Sequence, residues 1–155
     1  MKQNFISVFI LLSTLLMVNA APYQLNKRAT KFIACPVKPT PPLFNNIILS
    51  PDPIVKGSNV TITASGSISV DIPKNIDVLA QVAFLDKDGI LLADLDFVEF
   101  CSIEGINCPV KAGTNFEIVL NDIQVPDSND LDAMTVAVRN NNAGVFFVCS
   151  ESSDE

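Results

Sequence analysis

Few residues in this chain are able to do chemistry. Four cysteines stand at positions 35, 101, 108 and 149, and there is no histidine. Without histidine, no Ser–His or Cys–His pair can activate a nucleophile. The strained G-x-S-x-G turn of serine hydrolases is missing as well. Two aspartate pairs, Asp86 with Asp88 and Asp94 with Asp96, could in principle share a proton or hold a cation. The first pair flanks Lys87 in a turn, and the second reads as the wet face of a strand. Neither follows the spacing of a calcium loop. The cysteines are not in C-x-x-C pairs, so a zinc site is not expected either. The sequence therefore predicts neither an enzyme nor a cofactor.

What the cysteines can do is close loops. Their number is even, and four of them allow three connectivities. Cys101 and Cys108 bracket a short loop with Gly105 in its middle. Local closure favours Cys101–Cys108, which leaves Cys35–Cys149 to tie the start of the chain to its last strand. Disulfides need an oxidising compartment, and residues 1–20 supply the address. Lys2 is followed by an apolar run from Phe5 to Leu12 and a small-residue exit, Val18-Asn19-Ala20. This is the pattern of a secretory signal peptide. Lys27-Arg28 is a dibasic site that would end a propeptide over 21–28, leaving one domain over 29–155. No later run approaches the roughly 18 apolar residues of a membrane span. The expected location is outside the cell, or the lumen of a vacuole or lysosome.

Charge narrows the partners. The 155 residues hold 10 basic and 17 acidic side chains, a formal charge of −7. Removing residues 1–28 takes away Lys2, Lys27 and Arg28 and no acid, so the charge becomes −10. Such a chain is repelled by phosphate backbones, and nucleic acid is not an expected partner.

The elements that position these residues read as β throughout. Pro36, Pro39, Pro41 and Pro42 exclude a helix from the lead-in over 29–43. Strands are predicted over 46–50, 59–65, 76–85, 90–100, 116–120, 134–140 and 145–149, with a shorter one possible at 68–70. Asp86-Lys87-Asp88-Gly89 is a hairpin turn. The tail from Ser150 is expected to be loose. About seven short strands with no helical period predict an immunoglobulin-like sandwich of two antiparallel sheets. There is no tryptophan to act as the core pin of a true immunoglobulin domain. The strands over 76–100 are apolar on both faces in places. A sandwich needs only one apolar face per sheet, so the excess implies a fuller core, a dimer face or an interior kept dry for a guest.

Two segments carry a resemblance. Leu49-Ser50-Pro51-Asp52-Pro53 with Lys56-Gly57-Ser58-Asn59-Val60-Thr61-Ile62-Thr63-Ala64-Ser65-Gly66 resembles the first strands of the ML lipid-recognition domains. Among these it is most similar to the fungal phosphatidylglycerol/phosphatidylinositol transfer proteins. Gly105-Ile106-Asn107-Cys108-Pro109-Val110 is similar to the matching loop of the soluble Niemann–Pick type C sterol-transfer protein. The cysteine order, first with last and a short central pair, fits the same family. The resemblance covers most of 35–149, although Pro36 stands where the family usually has glycine. It implies a seven-stranded sandwich whose sheets part to admit a lipid, with the head group at the open end.

A lipid can be held there without a charged anchor, because each buried CH₂ contributes about 0.8 kcal/mol. Strand alternation, with Asp94 and Asp96 taken as facing water, predicts an inward set of Val60, Ile62, Val78, Val82, Phe84, Leu91, Leu95, Phe97, Phe116, Ile118, Leu120, Val136, Val138, Val145 and Phe147. Lys74, Lys87 and Lys111 are candidates for a head group. Asn59-Val60-Thr61 is a glycosylation sequon. The function expected is a monomeric carrier of a phospholipid or sterol, touching membranes or a membrane-bound acceptor protein transiently. The competing reading is an immunoglobulin-like module that binds a protein through its surface and has a filled core.

Overall fold

The computed structural model describes residues 29–94 and 96–153. The signal peptide and propeptide expected over 1–28 lie outside the described residues, as does Leu95 of the predicted inward set. Among the described residues eight strands follow one another: β1 Lys31–Ala34, β2 Asn46–Ser50, β3 Asn59–Ser67, β4 Val78–Leu85, β5 Asp96–Glu99, β6 Asn115–Gln124, β7 Ala133–Asn140 and β8 Phe146–Ser153. A 3₁₀ turn, Phe100–Ser102, follows β5. They form two antiparallel sheets, a five-stranded β1-β8-β7-β4-β5 and a three-stranded β2-β3-β6. The fold is the expected immunoglobulin-like sandwich.

β3 shows how the sequence builds it. Its β-branched residues suit a pleated surface. Val60, Ile62, Ala64 and Gly66 are buried, and the residues between them face out. β6 repeats this with Phe116, Ile118 and Leu120. β4 is buried along seven of its eight residues, on both faces. It is an internal strand of the wider sheet, flanked by β7 and the edge strand β5. The β4–β5 turn is closed by the Asp86 carboxylate, which accepts hydrogen bonds from the Asp88 and Ile90 N–H groups at 2.9 and 2.8 Å. Gly89 provides the positive φ of +77° that the turn requires.

Both expected disulfides are present, Cys35–Cys149 and Cys101–Cys108. The first explains two differences from the sequence reading. Residues 31–34 are not an irregular lead-in but the edge strand β1, paired from Lys31 opposite Ser153 to Ala34 opposite Ser150. The same pairing orders the chain through Ser153, where a loose tail was expected. No strand forms at 68–70. Ile68 there donates its N–H to the Thr114 carbonyl at 3.2 Å and its carbonyl accepts the Gly113 N–H at 2.7 Å, and an isolated bridge follows from Ile72 to Val110.

A fourth difference lies in the predicted strand over 90–100. Leu91 is opposite Leu85, yet Asp96 is opposite Val82. Five residues on one side therefore match three on the other, and the regular pairing of β5 is confined to Asp96–Glu99.

Candidate lipid-binding interior

The space between the sheets holds one contiguous cluster of buried apolar side chains. Eleven of the fifteen residues predicted to point inward belong to it: Val60, Ile62, Val78, Val82, Phe84, Phe116, Ile118, Leu120, Val136, Val138 and Phe147. Three do not, and they correct the sequence reading. Leu91, Phe97 and Val145 are 43%, 62% and 52% exposed. Residues directly opposite in an antiparallel pair share a face. Leu91 and Phe97 lie opposite Leu85 and Gln81, which are on the outer face of β4. The aspartate alternation misled because Asp96 and Val98 are opposite Val82 and Ala80, on the face toward the other sheet. A carboxylate is tolerated there because β5 is an edge strand, where Asp96 is half-buried and Val98 exposed. Val145 is exposed because it belongs to the β7–β8 turn, where its carbonyl accepts the Asn140 N–H.

Alternation also missed residues outside the strands. Phe44, Ile68, Ile72, Phe100, Val110 and Val125 are all in the core cluster. No periodic signal exists for side chains delivered from loops. Phe44 is positioned by a hydrogen bond from its N–H to the hydroxyl of buried Ser150, at 3.1 Å. Its ring meets Phe116 edge-on at 5.9 Å, and Phe116 meets Phe100 edge-on at 5.4 Å. Gly66 makes room for this trio, since a Cβ there would sit 3.2 Å from the Phe116 ring.

Beside the trio the surface is hollowed along the flank of the sandwich. Two neighbouring hollows of about 510 and 380 Å³ share Glu104 and Glu117 and run beside β6. The larger touches Phe116. The smaller is walled by Val98 of β5, by Val119 and Asn121 of β6, and by Ile103. Ile103 and Ile106 belong to the loop closed by Cys101–Cys108, and both pack half-buried against the core. The arrangement is an apolar interior, an aromatic cluster at one end, a stapled loop over it, and a carboxylate rim.

The three candidate head-group lysines do not converge. Lys74 precedes β4 and Lys87 follows it, so the strand's length, about 26 Å, separates them. Lys111 is engaged by Asp71 at 2.8 Å. The Asp71 carboxyl is held below its ordinary value of 3.8, chiefly by the Ala112 N–H and then by Lys111. Lys111 is raised in turn by Asp71. Among the described residues, no group of three or more His, Cys, Asp or Glu is placed to hold a metal ion.

The family model for the ML domain matches residues 29–151. No curated protein matches the sequence. Among solved structures, a Niemann–Pick type C2 protein from the Japanese carpenter ant has a similar fold. It is 20% identical, with a TM-score of 0.54, and the match covers 79% of this chain and 96% of that one. Two stapled sheets around an apolar interior, with a family match over residues 29–151, place this chain in the ML lipid-recognition domain family.

Proposed function

We propose that this protein is a non-enzymatic lipid carrier that takes the apolar part of one lipid between its sheets and passes it on without a covalent step. Membership of the ML family is the observation that carries this reading. The flank beside β6 is the proposed point of admission, because there a hollow reaches Phe116 of the core. The lipid would enter beneath the loop carrying Ile103 and Ile106, as β5 and β6 part. The rim favours a head group without negative charge. Glu104 and Glu117 line both hollows, and none of their lining residues is basic. A sterol, with a single hydroxyl, suits that rim better than phosphatidylglycerol or phosphatidylinositol, whose phosphates would face the two carboxylates.

The carrier would work as a monomer outside the cell or in a vacuolar or lysosomal lumen, in keeping with its two disulfides. Asn59 is exposed on the outward side of β3, which supports use of its sequon. The test is native mass spectrometry of the disulfide-intact protein offered a sterol and phosphatidylglycerol in competition. One sterol per chain, displaced poorly by the phospholipid, is the expected result. Preference for phosphatidylglycerol would overturn the head-group argument. Binding of neither would overturn the carrier reading and leave a protein-interaction module.

A further inference from the structure

Part of the apolar excess of residues 76–100 comes to the surface on the outer face of the five-stranded sheet. Leu91 and Phe97 are exposed there, and so is Ile33 of β1, which lies opposite Glu151. On this face, away from the lipid interior, runs a groove of about 490 Å³. Its floor is made by the small side chains of Ala133 and Thr135 on β7, between Leu85 on one side and the Cys35–Cys149 disulfide on the other. Val37 and Phe146 extend the apolar lining.

The charge along the groove is lopsided. Asp86, Asp88, Asp132 and Glu151 gather where β4 ends and β7 begins, against Lys87 alone. An adjoining hollow of about 350 Å³ shares Asp132 with the groove and adds Asp130. The Asp86 carboxylate is engaged by its own turn, and Lys87 reaches Asp88 at 4.0 Å. Among the described residues, no basic side chain pairs with Asp130, Asp132 or Glu151. The other end has the opposite sign. Arg139 lies opposite Phe146, and about 20 Å of strand separates it from Ala133.

These features select the occupant. A contiguous exposed apolar surface rimmed by charge marks a place where something binds. A second copy would set acid against acid, in a chain of formal charge −7. An anionic bilayer would be repelled in the same way. A polypeptide segment that is basic at one end and apolar at the other complements both ends, and about six extended residues cover the length. We propose that this groove docks such a segment of a partner protein. Its basic residues meet Asp132, Asp130 and Glu151, and its large apolar side chains lie against Phe146 and Val37. Arg139 keeps the basic end from binding the other way round. The flank beside β6 stays uncovered, so the partner holds the protein without closing its interior.

The experiment is an NMR titration of the isotope-labelled, disulfide-intact protein with the acetylated and amidated hexapeptide Phe-Leu-Gly-Ser-Lys-Arg. Saturable shifts confined to the groove, at Val37, Ala133, Thr135 and Phe146, are the expected result. Binding should weaken several-fold when Glu-Glu replaces the basic pair of the peptide, and again when Gly-Gly replaces its apolar pair. Asp132→Lys, at an exposed position, should weaken it as well. Lys87→Glu, also exposed, should strengthen it, a gain that a damaged fold would not produce. No shifts at the groove would overturn the proposal. Shifts indifferent to the apolar pair would reduce it to diffuse charge attraction and also overturn it, as would shifts gathered at Glu104 and Glu117 instead. Groove shifts that grow with protein concentration, without peptide, would assign the surface to a second copy and overturn it too.

Discussion

Removing the two disulfides separately should separate stability from lipid retention. Cys35 and Cys149 are 114 residues apart, and Cys101 and Cys108 are 7 apart. In the chain-entropy account, the larger loop stabilises by about 4.8 kcal/mol and the smaller by about 2.5 kcal/mol at 25 °C. Cys35→Ala with Cys149→Ala should therefore lower the urea midpoint about twice as far as Cys101→Ala with Cys108→Ala. Retention should run the other way. The small loop carries Ile103 and Ile106 against the core beside the hollowed flank. The long bridge lies on the far side of the wider sheet, among Ala137, Val37 and Phe146. Opening the small loop should speed release of a bound sterol in a stopped-flow transfer assay to acceptor vesicles. Opening the long bridge, at a temperature where that variant stays folded, should leave release nearly unchanged. Equal losses of stability would refute the loop-length argument. Unchanged release from the small-loop variant would refute the assignment of that loop to the mouth.

Four further outcomes follow from the geometry. Phe116→Ala removes the middle ring of the trio and should cost about 3–5 kcal/mol in urea unfolding. Val82→Trp should overpack the interior by roughly 1–3 kcal/mol, whereas Phe97→Trp, on the outer face, should stay within about 0.5 kcal/mol of the parent. Gly66→Val should shift the near-UV circular dichroism of the phenylalanines, because its Cβ would press on the Phe116 ring at 3.2 Å. The Asp71 carboxyl should titrate below 3.8 by NMR, and Lys111→Ala should move it part of the way back while the Ala112 N–H remains. Because its folded value is depressed, the stability it adds is present above its ordinary value and is lost as pH falls through the lowered one.

The sheets were legible in the sequence where one face is wet. In β3 and β6 the alternation of Val60, Ile62 and Ala64, and of Phe116, Ile118 and Leu120, gives the inward face directly. It failed at β5 for a physical reason. Leu91, Phe97, Asp94 and Asp96 alternate as regularly as any strand, but β5 lies at the edge of its sheet, where Asp96 is half-buried and Val98 exposed on the face toward the other sheet. Edge position is set by topology and has no local signature. β1 was hidden by the prolines after it, and its pairing is fixed by a cysteine more than a hundred residues away. The apolar excess of β4 has its explanation in both faces at once. Val78, Ala80, Val82 and Phe84 face the interior, while Leu79 and Ala83 are buried on the outer side. The aromatic trio was beyond sequence reasoning because Phe44 and Phe100 arrive from outside the sheets.

The staple between Cys35 and Cys149 also decides how the molecule bears a pull. β1 and β8 lie side by side and antiparallel, so the two ends of the folded part leave from the same end of the sheet. Tension applied to them peels the strands apart one residue pair at a time, from Lys31–Ser153 to Ala34–Ser150, and then meets a covalent bond. Everything between the two cysteines carries no load. The molecule could be tethered by both ends, to a surface or between fused partners, and stretched hard without its interior being strained.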